Sequence, residues 1–132
     1  MKALVPGPLV NLYVSYDVRF GRGVYAGECI RKGVLIDRSF SSEMTPEGLN
    51  HFAQIDEVGG YWFGHPDKAE WGLLPIGLIE LMNHSKSPNC VITWTYVEPL
   101  GYIGEVYSSQ VIGVNTQVRL DYGISLPADW LP

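Results

Sequence analysis

Residues 83–90, NHSKSPNC, place amide, imidazole, hydroxyl and thiol groups within one short polar corner, directly after the apolar run LLPIGLIELM. Three kinds of chemistry are open to such a corner. It could be a surface turn with the glycosylation sequon Asn83-His84-Ser85, because Asn and Ser favour turns through local hydrogen bonds. It could belong to a metal site, or to a site in which Cys90 is a nucleophile and His84 or His51 its base. It could also line a pocket for a small charged ligand.

Composition argues against the first two roles. Glycosylation requires secretion, yet Pro and Gly interrupt the N-terminus MKALVPGPLVNLYV and we expect no signal peptide. We expect Cys29 and Cys90 to be free thiols in a reducing compartment, because they are the only two cysteines and nothing points to secretion. The spacing of His84 and Cys90 matches no zinc motif. A cysteine hydrolase also needs an oxyanion loop and a third group that orients the base, and the sequence suggests neither.

Length and charge limit the class of protein. A chain of 132 residues, 46% of them hydrophobic, is expected to fold as one globular domain. The net charge of -5 disfavours nucleic-acid binding, which needs clustered Lys and Arg, and favours neutral or basic partners. The longest apolar stretch, residues 73–82, is interrupted by Pro75, Gly77 and Glu80 and is too short to cross a membrane. We therefore expect a soluble protein.

Many short strand patterns indicate a mainly β fold. Apolar and polar residues alternate over residues 12–20, which is typical of a half-buried strand, and further strands are predicted at 34–38 and 90–97. Residues 98–101 predict a hairpin turn, and YIGEVY, QVIGV and TQVRLDYG predict short strands after it. The absence of long helical patterns excludes a parallel α/β sheet and favours a compact sandwich or barrel-like fold.

Two short helices are expected among these strands. Thr45 can cap the first, with Pro46 at its first position and Leu49, Phe52 and Ala53 on its buried face. Pro75 and Gly77 restrict the second to about residues 76–82.

The segment between residues 37 and 60 is acidic, with Arg38 as its single Lys or Arg. One interpretation is a solvated surface; the other is an acidic rim that faces a basic ligand. The carboxylates are Asp37, Glu43, Glu47, Asp56 and Glu57.

Two further short motifs flank the polar corner at a distance. Gly21, Arg22 and Gly23 lie between strand-like segments, where glycines permit a positive φ, a bulge or a close approach of backbone to a ligand. No helix follows them, so they are not a dinucleotide-binding fingerprint. DYG, residues 121–123, closes the final strand, and its Tyr122 is one of eight tyrosines.

The order of GRGVYA, IRKGVLI, NHSKSPN and LDYG resembles the SET-domain protein lysine methyltransferases, over residues 12–123. The chain is similar in size to the small stand-alone viral and bacterial members. The resemblance implies a SET (β-clip-like) fold of several small sheets, with one or two short helices. It implies a C-terminal pseudo-knot formed by the NHS segment and the chain near DYG. It also implies a single domain over residues 1–132, with residues 124–132 as a tail that closes the substrate channel.

The resemblance further implies the activity and the residues that perform it. The expected reaction transfers a methyl group from S-adenosylmethionine to the ε-amine of a lysine in a protein, without a metal. Tyr122 and Tyr61 are the implied catalytic residues, and Tyr61, Leu120 and Trp130 the implied substrate channel. Since Leu120 replaces a Phe or Tyr that often restricts methylation, we expect room for more than one methyl group. The implied cofactor-binding residues are Gly21, Arg22, Gly23, Asn83, His84, Tyr122 and Trp130.

The family resemblance also suggests partners and a compartment. The expected partner is a Lys-containing, basic protein or peptide such as a histone, with no nucleic acid or membrane, and a homodimer is one expected assembly. The expected location is cytoplasmic or host intracellular, and nuclear if the host is eukaryotic. One departure is local: where the family has a Gly-Glu-Glu turn, this chain reads GVNTQVRLDYG. The alternatives are a catalytically inactive SET-like peptide-binding module and a β-clip structural or carbohydrate-binding domain.

Overall fold

The computed structural model describes residues 4–19, 21–52, 54 and 62–122, with the side chain of Phe52 left out. Within these residues the chain is built mainly of short strands. The helical elements are α1 (Pro46–Phe52) and a 3-10 helix (Leu78–Leu81). The strands are β1 (Gly7–Pro8), β2 (Leu12–Asp17), β3 (Gly21–Ala26), β4 (Leu35–Met44), β5 (Phe63–Gly64), β6 (Gly72–Ile76), β7 (Asn83–His84), β8 (Cys90–Val97), β9 (Gly101–Ser108) and β10 (Arg119–Leu120).

The largest sheet is antiparallel and contains six strands. Its strand order is β5-β6-β4-β9-β8, and β1 pairs with the first half of β4. The β8–β9 hairpin is rich in β-branched and aromatic residues, which favour strands. Gly104 is required at its centre, because a Cβ there would lie 2.7 Å from the Trp94 ring. This sheet forms the wall on which the smaller elements pack.

Two small sheets complete the fold. β2 and β3 form an antiparallel hairpin, whereas β7 and β10 pair in parallel, with Asn83 opposite Arg119 and His84 opposite Leu120. The chain just before β10 lies beside β3, since the backbone N–H of Val118 donates to the carbonyl of Val24 at 2.8 Å. Residues 116–120 therefore join the GRG strand to the NHS strand.

One core cluster lies between these sheets. It contains residues from β3, the long sheet, the 3-10 helix and the C-terminal strand, including the fully buried Ile79, Met82 and Leu120. Because every sheet contributes to this one cluster, the described residues pack as one hydrophobic unit. Among them, no helix has the length and hydropathy needed to cross a membrane.

Most of the predicted elements are observed. The mainly β fold with several small sheets is confirmed, and β8 has the predicted bounds. The helix at Pro46 is confirmed with its cap, because Thr45 Oγ1 accepts a hydrogen bond from the Gly48 N–H at 3.0 Å and Leu49 is buried. The second helix is one 3-10 turn. Ala53 lies outside the described residues.

The remaining differences are local. The strand predicted at 34–38 is the much longer β4, and QVIGV forms an isolated bridge at Ile112 instead of a strand. β7 and β10 bring together the two segments of the predicted pseudo-knot. The threading of one segment through the other stays a prediction.

The half-buried pattern predicted for residues 12–20 is wrong. β2 is a strand, but Val14 and Tyr16 on its apolar face are exposed, at 45% and 70%. The physical reason is that, among the described strands, β2 pairs with β3 alone, and β3 supplies the buried residues Val24 and Ala26. An alternating pattern identifies the strand but not whether anything covers its apolar face.

β4 carries an acidic side chain into the interior. Its register with β9 shifts between Leu35 and Asp37, so Ile36 and Asp37 are both fully buried. Neither carboxylate oxygen of Asp37 has a hydrogen-bond partner of good geometry among the described residues. Burial raises the pKa of Asp37 to about 6, and the nearby Arg38 backbone N–H and Ser39 hydroxyl offset only part of that rise.

Asp37 should make the protein less stable as the pH rises through weakly acidic values. Its carboxyl titrates near pH 3.8 when unfolded and near 6 when folded, so between these values the folded state holds more protons. We expect the free energy of unfolding to fall by at most about 3 kcal/mol between pH 4 and pH 6 from this group alone. Asp37→Asn should remove that component.

Urea denaturation of the wild type and Asp37→Asn from pH 4 to pH 7.5 measures the effect. Glu47→Gln, which removes an exposed carboxylate in the first turn of α1, is the matched control. Parallel stability curves for the wild type and Asp37→Asn would contradict the assignment, because other carboxylates titrate identically in both proteins.

Candidate active site

The parallel pair β7–β10 brings the NHS corner and the DYG segment together. The Ser85 N–H donates to the carbonyl of Leu120 at 2.8 Å, and the Tyr122 N–H donates to Nδ1 of His84 at 2.9 Å. Two segments that lie 38 residues apart in the sequence are thereby joined through backbone and side chain. The two motifs form one structural unit.

Asn83 joins this unit to the GRG strand. Its Nδ2 donates to the carbonyl of Arg22 at 3.0 Å and to Oε1 of Gln117 at 2.6 Å. A Cβ at Gly23 would lie 2.9 Å from that Gln117 oxygen and 3.1 Å from Asn83 Nδ2. Glycine is therefore needed at position 23 for β3 to approach the Asn83 amide.

The first part of GRG leaves its backbone accessible. Gly21 has φ +75°, which favours glycine, and a Cβ there would meet nothing within 4 Å. The residue Arg22 is exposed, and its carbonyl is fixed by Asn83. The GRG strand thus has open space at Gly21 and lies beside the NHS corner at Arg22 and Gly23.

His84 is buried in a defined tautomer. Because Nδ1 accepts the Tyr122 N–H, the ring proton is on Nε2, which has no hydrogen-bond partner among the described residues. Burial lowers the pKa of His84; the charge of Asp121, 3.8 Å away, opposes this and that of Lys86 adds to it. The imidazole is therefore neutral at physiological pH, with one buried N–H donor.

The Tyr122 side chain is enclosed by aromatic and backbone groups. Its ring packs on Phe63 with the centroids 4.3 Å apart, and its hydroxyl donates to the carbonyl of Met82. The Gly64 N–H donates to the Tyr122 carbonyl at 3.2 Å. A hydroxyl and a carbonyl oxygen thus lie side by side in a largely apolar environment, the arrangement needed to orient an amine.

The remaining predicted channel residues are only partly described. Leu120 is fully buried in the core and pairs with His84, two residues before Tyr122. Tyr61 and Trp130 lie outside the described residues, as does the tail 124–132, so their predicted roles stay predictions.

Three contributors to the site were not predicted from the sequence: Phe63, Met82 and Gln117. Phe63 lies two residues after Tyr61 in the same aromatic run, and that run was the available signal. Met82 contributes through its carbonyl, which no side-chain pattern indicates. Gln117 lies 34 residues from Asn83, and no local pattern pairs them.

Asn89, the last residue of NHSKSPN, also fixes this region. Its Nδ2 donates to the carbonyl of Gln117 at 2.8 Å and its Oδ1 accepts from the Arg119 N–H at 2.9 Å. The second half of NHSKSPN therefore holds the chain that leads to β10.

The nucleophile interpretation of Cys90 is disfavoured. The Cys90 side chain belongs to the core, and burial raises its pKa to about 12, so the thiol is not ionised at neutral pH. The described residues hold no group of three or more His, Cys, Asp or Glu side chains suited to a metal ion.

A comparison with protein-family models matches residues 21–123 to the SET domain. The chain belongs to the SET-domain family. The match starts at the GRG strand and ends at DYG, so it contains every part of the site described above. A comparison with curated protein sequences gives no significant match.

Solved structures with the same fold include histone methyltransferases. A candidate histone methyltransferase of Plasmodium falciparum superposes with TM-score 0.67 and 22% identity, covering 88% of this SET domain and 96% of that chain. The Neurospora histone lysine methyltransferase DIM-5 superposes with TM-score 0.67 and 19% identity, covering 92% of this SET domain and 55% of that chain. A chain of an active polycomb repressive complex 2 superposes with TM-score 0.70 and 14% identity, covering 90% of this SET domain and 16% of that chain. These similarities confirm the SET fold.

Family membership supports protein lysine methyltransferase activity as a class, and SET-domain methyltransferases generally use S-adenosylmethionine. The residues of this site fit S-adenosylmethionine. The open backbone at Gly21 lies one residue before Arg22, whose carbonyl accepts from Asn83 Nδ2. Because Nδ2 is already bonded, Asn83 Oδ1 is left as an acceptor for an ammonium group. The unpartnered Nε2–H of His84 is a buried donor in the same corner.

Proposed function

We propose that this SET domain transfers a methyl group from S-adenosylmethionine to the ε-amine of a lysine in a basic protein. One observation carries the proposal: the Tyr122 N–H binds His84 while the Tyr122 hydroxyl binds the carbonyl of Met82, next to Asn83. The corner that would hold the donor and the tyrosine that would orient the acceptor are therefore rigidly connected.

The bound donor would supply a methyl group activated by a positive sulfonium. Methyl transfer to an amine is an in-line displacement, so the protein has to align the two reactants and exclude water. Gly21, Gly23, Asn83 and His84 would bind the donor on one side. Phe63 and Tyr122 would enclose the acceptor on the other, where water has little access because both side chains are buried.

The acceptor lysine must lose its proton before it reacts, since a protonated amine has no lone pair. Desolvation lowers the pKa of a lysine amine, and the buried apolar groups of Phe63, Leu120 and Tyr122 would provide that desolvation. The Tyr122 hydroxyl and the Met82 carbonyl would then orient the neutral amine. Leu120 has no hydroxyl to hold a water molecule, which supports more than one round of methylation.

The substrate class follows from charge and chemistry. A protein with net charge -5 attracts a basic polypeptide, and the structural relatives include a histone lysine methyltransferase. We propose a histone or another lysine-rich protein as the substrate. The proposed location is cytoplasmic or host intracellular, and nuclear in a eukaryotic host. A homodimer is one proposed assembly.

Two measurements test the function. The protein is incubated with isotope-labelled S-adenosylmethionine and core histones, and the modified residue is located by mass spectrometry. We expect label on lysine, and calorimetry should detect binding of S-adenosylmethionine alone. A folded protein that gives no heat with S-adenosylmethionine and no labelled lysine would overturn the proposal and favour an inactive peptide-binding module.

A further inference from the structure

A second polar cluster lies close to Tyr122 and takes no part in the site described above. Gly64, which donates to the Tyr122 carbonyl, is followed directly by the loop 65–71. This loop packs against the end of β4 and the β8–β9 hairpin, and together these elements place three aromatic rings beside two carboxylates. We call it the acidic-aromatic cluster; its members are Glu43, His65, Asp67, Lys68, Trp71 and Tyr102.

The cluster already holds one cation, and that cation belongs to the protein. The Lys68 Nζ lies 3.0 Å from Glu43 Oε2 and 4.3 Å from the centroid of the Trp71 ring. A carboxylate together with an aromatic face is the arrangement that binds an ammonium or guanidinium group. Lys68 thus demonstrates that these groups accept a cation.

The hold on Lys68 is nevertheless weak. Its side chain is 48% exposed and that of Glu43 31%, and exposed ion pairs and cation–π contacts each contribute little. An incoming cation can therefore displace the Lys68 ammonium into solvent with little loss.

Hydrogen bonds hold in place the groups that bind the Lys68 ammonium. His65 Nδ1 accepts the backbone N–H groups of Asp67 and Lys68, each at 3.0 Å, so the loop is fixed around the imidazole. The His65 side chain is fully buried, and its Nε2 faces Glu43 Oε2 at 3.4 Å without a hydrogen bond of good geometry. This buried N–H donor, directed at the carboxylate that holds Lys68, is an observation independent of the cluster's negative charge.

The surrounding potential is negative. Tyr102 donates its hydroxyl proton to Asp67 Oδ2 at 2.7 Å, and Tyr96 donates to Glu98 Oε2 at 2.7 Å. The Asp67 hydrogen bond, burial and the charges of Asp67 and Glu43 together raise the pKa of Tyr102 to about 12. The carboxylates of Glu43, Asp67 and Glu98 thus lie around Tyr96 and Tyr102. Within the acidic-aromatic cluster, Lys68 supplies the positive charge.

We infer that Glu43, Asp67 and Trp71 form a subsite for a Lys or Arg side chain that flanks the methylated lysine, and that Lys68 occupies this subsite until a substrate displaces it. The inference rests on the proposed methyltransferase function. Of its acceptor-side residues, Phe63 lies two residues before His65, and the Tyr122 carbonyl accepts a hydrogen bond from Gly64, the residue directly before the loop. The partner is a basic polypeptide, because the carboxylates repel phosphates. The cluster then supplies specificity for basic sequences.

Fluorescence anisotropy with a fluorescein-labelled peptide of alternating arginine and glycine tests the subsite without a need for catalysis. The same peptide with citrulline in place of arginine removes only the charge. We expect Glu43→Gln to weaken binding of the arginine peptide about fivefold and Lys68→Met to tighten it about threefold. Neither variant should change binding of the citrulline peptide.

Two controls match these charge changes. Glu70→Gln removes an exposed carboxylate of the same loop, and Lys32→Met removes an exposed lysine from a distant turn. Each should change the affinity less than about twofold. Equal effects of Glu43→Gln and Glu70→Gln, or no preference for arginine over citrulline, would overturn the subsite.

The same variants connect the subsite to catalysis. With core histones as acceptor, Glu43→Gln should raise KM about fivefold while kcat stays within about twofold. Arginine preference in the binding assay without any methyl transfer by the wild type would overturn the proposed function and leave the cation subsite in place. Methyl transfer without arginine preference would overturn the subsite alone.

Discussion

Tyr122→Phe is expected to lower the rate of methyl transfer to core histones by about a hundredfold or more, with little change in affinity for S-adenosylmethionine. The phenylalanine ring would keep its contact with Phe63, so the site retains its shape. The change removes the hydroxyl that binds the Met82 carbonyl, and the acceptor amine then loses one of two groups that orient it. Single-turnover kinetics separate this loss from any change in donor binding.

Tyr16→Phe is the matched control, because it removes the hydroxyl of a tyrosine that is 70% exposed on β2. It should leave turnover unchanged. The Tyr122 variant should also unfold with about 1 kcal/mol less stability, since one buried hydrogen bond is lost. Normal turnover by a folded Tyr122→Phe protein would remove Tyr122 from the mechanism.

Gly23→Ala is expected to weaken binding of S-adenosylmethionine about tenfold. The new Cβ would lie 2.9 Å from Gln117 Oε1, so the Gln117 amide must turn away and Asn83 loses the acceptor that it now contacts at 2.6 Å. The Asn83 amide then keeps only the Arg22 carbonyl as an acceptor, so the orientation in which its oxygen would face the donor is held less firmly. Calorimetry measures the affinity directly.

A double-variant comparison makes this test specific. Gln117→Ala removes the same hydrogen bond without a clash, so Gly23→Ala and Gln117→Ala combined should cost no more affinity than either alone. Gly33→Ala is the control for glycine replacement. Gly33 has φ +83°, and a Cβ there would meet nothing within 4 Å, so this substitution strains the backbone without a steric clash. We expect it to cost about 1 kcal/mol of stability without affecting donor affinity. If the losses of donor affinity from Gly23→Ala and Gln117→Ala add up in the double variant, the two residues do not act through the same Gln117–Asn83 hydrogen bond, contrary to this prediction.

Much of this architecture could be predicted from short motifs in the right order. The strand at residues 90–97, the capped helix at Pro46 and the meeting of NHS with DYG were all predicted, because turn residues and family motifs are local in sequence. The pairing of β7 with β10 is the part of the site on which the prediction depended most, and its two segments do pair.

The rest depended on contacts between distant residues. Asn83 and Gln117 are 34 positions apart, and nothing around either residue indicates the other. The exposed face of β2 was mispredicted because alternation records polarity, whereas burial depends on which element packs on that face. The buried Asp37 was counted with the surface acids, because only the register shift in β4 turns it inward. Such features are tertiary, and a pattern in one segment does not contain them.

The parallel pairing of β7 with β10 also determines how activity depends on folding. The GRG strand, the NHS corner and the DYG segment span residues 21–122 in sequence, so the site has a high contact order and exists only after nearly the entire chain has folded. Opening of the C-terminal segment alone would separate Tyr122 from His84 and Gln117 from Asn83 in one event. Donor binding and turnover are thus tied to one cooperative unit, and both should vanish together as the β7–β10 pair opens.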